Sequence, residues 1–305
     1  MDNQINGKLV SDILYTELSN YLSNQTKEVN IVDISVGNDF GGFMYSKMKQ
    51  KKITSKTGMN FESIHFEKID KDELEEYIKY LNKAKTTGIM LQLPLPSPLN
   101  KYEREILELI NPNKDIDGLT SISAGKLITN SDTFIPCTAL GIEVLLKTYN
   151  VNLTGKKVAI VNRSNIVGKP LTMLMLKNNA TPIICHSKTK ELYKITRNSD
   201  IVIAALNKKE FITEDYIKKG AVVIDVGVHK NEAGKTVGDV AFKEVSKKAS
   251  LITPPTGGVG PMTICMLAYN SAKSVYGSEI NEVLDTGIQK AKKCLNKAVW
   301  HIIEK

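Results

Sequence analysis

Short apolar runs alternate along most of the chain with longer segments in which hydrophobic residues recur every three or four positions. Apolar, β-branched runs of four to eight residues suit strands buried in a sheet, and the three-to-four spacing suits helices with one buried face. In the first half this predicts strands at 31–36, 64–66 and 89–93, with helices near 10–22, 42–56 and 72–83. Asp70 with Glu73 three residues on reads as a capping box for the last helix. The second half is more regular, with strand-like runs at 158–161, 182–185, 201–205, 222–226 and 251–253. Several are separated by helix-sized segments, as parallel pairing requires. A helix through Ile142, Leu145 and Leu146, capped by Thr138, is expected to connect the halves, and another over 262–276 follows Pro261. The expectation is an α/β protein of two α/β domains, the second a Rossmann-like doubly wound parallel sheet.

Composition fits that picture. At 305 residues with 42% hydrophobic content, the chain can fill two cores. Lys and Arg number 41 against 33 Asp and Glu, a net charge of +8, but the basic residues are spread out and carry no nucleic-acid-binding signature. A solvated lysine-rich surface accounts for them, and no nucleic-acid partner is expected. The opening MDNQINGKLVSDIL lacks a cationic start followed by an apolar stretch, and no apolar run reaches spanning length, so a cytoplasmic protein without membrane association is expected. Cys137, Cys185, Cys265 and Cys294 form no CxxC pair, and the histidines are scattered. That suggests no metal site and no disulfide framework, with each cysteine a small reduced hydrophobe.

Candidate chemistry gathers in a few segments. TPPTGGVGPMT, 253–263, combines three glycines that admit unusual backbone angles with three prolines that stiffen the loop, which suits a polar-ligand site before a helix. KKVAIVNRSNIVGKP, 156–170, is a strand, a polar turn and a helix opening near Gly168, an arrangement that aims backbone donors at a phosphate. Arg163 and Ser164 after that strand, and Ser187 and Lys188 after the next, suit a phosphate. With no acidic residue at the second position, NADP is favoured over NAD. Tyr45 and Lys49 lie four apart on one predicted helix, so they share a face; taken alone, such a pair also fits solvated surface. GIMLQLPLP puts Gln92 at the end of a strand, where α/β sites gather, and DIDG, 115–118, reads as a turn.

Taken in order, VGND followed by Tyr45 and Lys49, GIMLQLPLP, NPNKDIDGLT, IPCTALGIEVL, VNRSNIVGKP, CHSKT, VIDVG, VGDV and ITPPTGGVGPMT resemble the methylenetetrahydrofolate dehydrogenase/methenyltetrahydrofolate cyclohydrolase (FolD) family, across about residues 5–276. The resemblance implies a folate-binding catalytic domain, 1–138 plus 263–305, an NADP-binding domain, 139–262, and a cleft between them. It implies oxidation of 5,10-methylenetetrahydrofolate with NADP, then hydrolysis to 10-formyltetrahydrofolate. Tyr45 would pack on the folate rings, Lys49 and Gln92, with Leu93 beside it, would lie at the reacting carbon, and Asp117 would bond the pterin. Thr256, Gly257, Gly258, Val259 and Gly260 would close over the substrate. Asn162, Arg163, Ser164, Ser187 and Val228 match cofactor-contacting positions. A cytoplasmic homodimer serving one-carbon metabolism and purine biosynthesis, with substrates that include polyglutamylated folates, is implied as well.

The pattern departs in places. Gly42 replaces a usual serine, PPTGG stands for PVPGG, and Asn162 and Asn207 replace glycines lining the cofactor cleft. Those asparagines are expected to hold the cofactor farther off unless each amide makes a replacement hydrogen bond, which leaves open a member with cyclohydrolase activity alone. Beyond about residue 277 an added segment has Ile280, Leu284, Ile288, Ala291, Leu295, Ala298 and Ile302 spaced as one helical face. A short-chain dehydrogenase using Tyr45 and Lys49 is disfavoured, because there the nucleotide fold precedes the pair. A non-catalytic binding protein is disfavoured by the presence of Lys49, Gln92 and Asp117.

Overall fold

The computed structural model describes residues 3–37 and 40–303, the side chains of Phe40 and of 297–303 excepted. Asn38 and Asp39 of the VGND motif, and the side chains of Ala298 and Ile302, lie outside the described residues. The chain forms two compact units: one holds 14–135 with 264–287, the other the residues up to 13, 136–263 and those from 288 on.

In chain order the first part contains α1 (Gly7–Leu22), β1 (Asn30–Val36), α2 (Phe40–Thr57), β2 (Asn60–Phe66), α3 (Lys71–Lys83), β3 (Gly88–Leu91), α4 (Glu103–Leu107) and α5 (Ser121–Ile128). Its sheet has the order β2-β1-β3, both pairs parallel. β2 begins four residues before the predicted strand because seven-residue pairing with β1, not its own apolar content, defines it. Alternation gives this sheet two different faces. Val32, Ile34, Ile89 and Leu91 form an apolar core with Leu74, Ile78 and Leu81 of α3, whose capping box is present as read from the sequence. On the opposite face Asp33 and Ser35 pair with Ser63 and His65, and α2 covers them with a buried stripe of Ser46, Lys49, Ile53 and Thr57.

The second part continues with α6 (Cys137–Thr148), β4 (Lys157–Val161), α7 (Gly168–Lys177), β5 (Thr181–Cys185), α8 (Leu192–Arg197), β6 (Ile201–Ala204), β7 (Val222–Asp225), β8 (His229–Lys230), β9 (Thr236–Val237), α9 (Phe242–Lys248), β10 (Leu251–Ile252), α10 (Val259–Tyr276) and α11 (Glu279–Ile303). Five strands pair in parallel in the order β10-β7-β6-β4-β5, the doubly wound sheet anticipated from the sequence. Gln4 bridges to Ile252, and the Ile5 amide donates to its carbonyl at 2.8 Å, so the first described residues run beside β10. The antiparallel β8–β9 hairpin, two residues a side, is too short to show a period in the sequence.

Two local expectations are corrected. Thr138 does not cap α6: Pro136 holds that position, and the Thr138 hydroxyl lies inside the first turn, 3.2 Å from that of Thr263. α10 begins at Val259 rather than 262, so Pro261 is its third residue, where a missing N–H leaves no intrahelical bond unmade. In α11, Ile280, Ile288 and Ala291 are buried and Leu284 and Leu295 half-buried, in keeping with the apolar face read from their spacing.

Candidate active site

Lys49 is a charged side chain in the buried stripe of a helix, only 2% exposed. Such burial needs a partner, and the partner is Asp33 in the middle of β1, fully buried, with Oδ2 3.0 Å from the Lys49 Nζ. The Ser46 hydroxyl, one turn earlier on α2, donates to the same Oδ2 at 2.7 Å and also reaches the Ser63 hydroxyl at 3.0 Å. Gln92, just past β3, donates its Nε2 to the other carboxylate oxygen at 2.7 Å. The Met90 sulfur lies 3.5 Å from the ammonium, and the Tyr45 ring centroid 5.2 Å from it. Tyr45 itself is 39% exposed, alongside the exposed Met44 and Met48 on the same helix. Thus Lys49 and Gln92, singled out separately in the sequence, converge on one carboxylate that sequence reasoning missed, with the Tyr45 ring beside the lysine. The signal was present: an Asp interrupting the apolar strand NIVDISV is out of place in a sheet unless something bonds it.

DIDG is a turn, closed by the Gly118 amide donating to Asp115 O at 2.9 Å, and its two carboxylates differ in use. Asp115 is buried and accepts from the amides of Leu119 and Thr120 and the hydroxyls of Thr120 and Ser123, which makes it a strut for α5. Asp117 is half-buried. A parallel bridge from Asp115 to Ile89 sets the turn beside β3, and Asn270 of α10 donates to Ile116 O at 2.8 Å. Leu93, after Gln92, is half-buried.

In the second unit the predicted cofactor residues stand at the C-terminal ends of parallel strands. The strand order reverses between β4 and β6, the place where such sheets bind dinucleotides. Asn162 follows β4 and spans that crevice. Its Nδ2 donates to Ala205 O after β6 at 2.6 Å, and its Oδ1 accepts from the amides of Ser164 at 2.7 Å and Gly168 at 3.1 Å. This amide staples the turn, and among the two asparagines only Asn207 has a positive φ, 55°. A Cβ on Gly168 would meet Asn162 O at 2.1 Å, so the start of α7 is pressed onto the strand end as a phosphate-binding turn requires. Arg163 and Ser164 are exposed beside it, Ser187 is exposed after β5, and Val228 is exposed after β7. The residues therefore fit a dinucleotide.

Two buried carboxylates latch the neighbouring loops. Asp239 accepts from the amides of Leu206, Asn207 and Lys208 and lies 2.8 Å from His229 Nε2. Asp225 accepts from the amides of Gly227, Asp239 and Val240. Burial pushes the Asp225 carboxyl up to about 6, against the pull of those three amides.

The glycine-proline loop is held within the same unit. Gly257 has φ 82°, and its carbonyl accepts from the Lys8 amide at 2.9 Å. A Cβ on Gly258 would meet Pro254 O at 2.6 Å. Thr256 is exposed, but Val259 is buried and, with the exposed Gly260, belongs to α10 rather than to the loop. Cys137, Cys185 and Cys265 are buried as expected of small hydrophobes, whereas Cys294 is exposed.

The sequence pattern of the tetrahydrofolate dehydrogenase/cyclohydrolase catalytic domain matches residues 5–117, and that of the family's NAD(P)-binding domain matches 136–278. The bifunctional protein FolD of Agathobacter rectalis is 43% identical over 280 residues, covering 90% of this chain and 99% of that protein. The crystal structure of the bifunctional enzyme FolD from Campylobacter jejuni superposes with a TM-score of 0.85 at 40% identity, covering 89% of this chain and 97% of that one. That of Trypanosoma brucei, complexed with NADP cofactor and inhibitor, gives 0.83 at 30% identity over 90% and 97%. No helix among the described residues is long and apolar enough to cross a membrane. With both halves matched in order over nearly all their length, this chain belongs to the tetrahydrofolate dehydrogenase/cyclohydrolase family.

Proposed function

We propose that the chain is a bifunctional enzyme that oxidises 5,10-methylenetetrahydrofolate to the methenyl form with NADP and hydrolyses that product to 10-formyltetrahydrofolate. The observation that carries this reading is the buried Lys49, held beside Gln92 on the polar face of the first sheet, in a chain matched by both domains of the family. The stapling of Asn162 into its turn removes one of the two reasons for expecting a cyclohydrolase-only member.

Tyr45, with Met44 and Met48, offers exposed apolar surface for the flat folate rings. Asp117 bonds the pterin, and Lys49, Gln92 and Leu93 line the reacting carbon. When bound, the nicotinamide supplies the hydride acceptor, and the chain contributes position. Asn162, Arg163, Ser164, Ser187 and Val228 hold the cofactor, with Arg163, Ser164 and Ser187 as donors to a 2′-phosphate. For hydrolysis, Gln92 orients water at the methenyl carbon and Lys49 takes its proton. Thr256, Gly257, Gly258, Val259 and Gly260 close over the substrate, with Val259 contributing backbone since its side chain is buried. The functional domains are 1–138 with 263–305, for folate, and 139–262, for the cofactor. Polyglutamylated folates are accepted, and a cytoplasmic homodimer forms; β2 stands at the edge of its sheet, where a second copy can approach.

The test is a spectrophotometric assay of methylenetetrahydrofolate oxidation with NADP and with NAD, followed by hydrolysis of added methenyltetrahydrofolate. Both activities, with higher catalytic efficiency on NADP, are expected. Absence of either activity, or equal efficiency on NAD, overturns the corresponding part.

A further inference from the structure

Every group described as bonding to the Asp33 carboxylate is a donor: Lys49 Nζ and Ser46 Oγ on Oδ2, and Gln92 Nε2 on Oδ1. An ionised carboxylate only accepts, so it dictates the orientation of whatever it binds. With its NH2 turned to Asp33, Gln92 presents its carbonyl oxygen to the opposite side, as an acceptor for a water hydrogen. Lys49 likewise points one N–H at Oδ2 and lies against the Met90 sulfur, which fixes the direction of its nitrogen. The carboxylate is anchored in turn: it sits in the central strand of the sheet, between β2 and β3.

We propose that Asp33 is a positioning residue for the hydrolytic step. It orients Lys49 from Oδ2 and Gln92 from Oδ1, so that one carboxylate sets the directions of both. The inference rests on the reading of Lys49 and Gln92 as the hydrolytic pair. The charged and titratable groups facing this carboxylate are Lys49 from α2 and, one pair further along the sheet, His65 on β2, which bonds Ser35 at 2.9 Å. From β3 come Met90 and then Gln92, both neutral, and Tyr45 stands over Lys49 from α2.

The experiment measures kcat and KM for methenyltetrahydrofolate hydrolysis by the wild type, Asp33→Asn, Lys49→Met and the double variant Asp33→Asn/Lys49→Met. Asp33→Asn is expected to lower kcat by about tenfold or more, the scale set by a misplaced catalytic group. KM is expected to change little, because the lost contacts position the catalytic groups and not the substrate. An unchanged kcat, or a fall in kcat matched by a comparable change in KM, overturns the proposal, because a general loss of structure does not act on kcat alone. Should Asp33→Asn leave an unpaired ammonium and fail to fold, the double variant, which buries no lone charge, is compared with Lys49→Met. A drop smaller than tenfold is expected, what remains passing through Gln92, and a drop of about tenfold or more means that Asp33 does not act through Lys49. The reading beneath is tested separately: an active Lys49→Met sinks the Lys49 assignment. An inactive Lys49→Met beside an unaltered Asp33→Asn sinks only the role of Asp33.

Discussion

The two parallel sheets of this protein put polar groups in different places. In the second unit, β6 and β7 are buried along their whole length, and polar function begins only past the strand ends, at Asn162, Arg163, Ser187 and Val228. In the first unit a carboxylate stands in the middle of β1, and the helix above it buries a lysine. A sheet whose faces are closed by apolar packing can offer a ligand only backbone ends and loops, which suits a cofactor that brings its own chemistry. A sheet with one polar face can hold an acid–base group away from water, at the cost of pairing every charge it buries.

That contrast breaks most sharply at Lys49. Lys49→Ala is expected to lower hydrolysis of added methenyltetrahydrofolate by ~10²-fold or more while NADP affinity is retained, since a positioned acid–base group is typically worth that much. A rate above about a tenth of wild type would remove chemistry from the sheet face.

At the strand end of the other sheet the expected loss is of structure. Asn162→Gly deletes two hydrogen bonds within the β4–α7 turn and a third from it to Ala205, and adds a flexible residue. It should cost about 2 to 3 kcal/mol of stability and weaken NADP binding. This reverses the expectation from sequence that glycine there would tighten the site. Asn207→Gly, at a backbone angle glycine also accepts, should be nearly neutral. NADP titration and thermal unfolding of both variants decide, and tighter binding by Asn162→Gly would restore the sequence reading.

The smallest effect concerns Asp225, the last residue of β7. Its carboxyl, raised by burial from 3.8 to about 6, binds a proton more tightly folded than unfolded. The associated stabilisation is full below about 4 and is lost as pH rises through about 6. Relative to Asp225→Asn, the wild type should therefore gain about 2 kcal/mol on going from pH 6.5 to 4.5. Denaturant unfolding of both proteins across that range checks it, and parallel curves would mean that the carboxylate is held ionised by its three amides.

The sequence by itself determined the alternation of strands and helices, the capping box at Asp70 and Glu73, and the order of the family's motifs. These rest on periodicity and local chemistry, which act over a few residues. Only the tertiary structure decided which polar groups meet. Gln92 bonds Asp33 across 59 positions, and Asn162 bonds Ala205 across 43. Both contacts depend on which strands become neighbours and in what register, and a one-residue slip would turn Asp33 to the apolar face. Read along the chain, Asp33 interrupts an apolar run and Asn162 looks like a blocked glycine. Folded, each is satisfied by partners that the sheet order supplies, because a buried polar group is tolerated only where long-range packing brings its hydrogen-bonding partner.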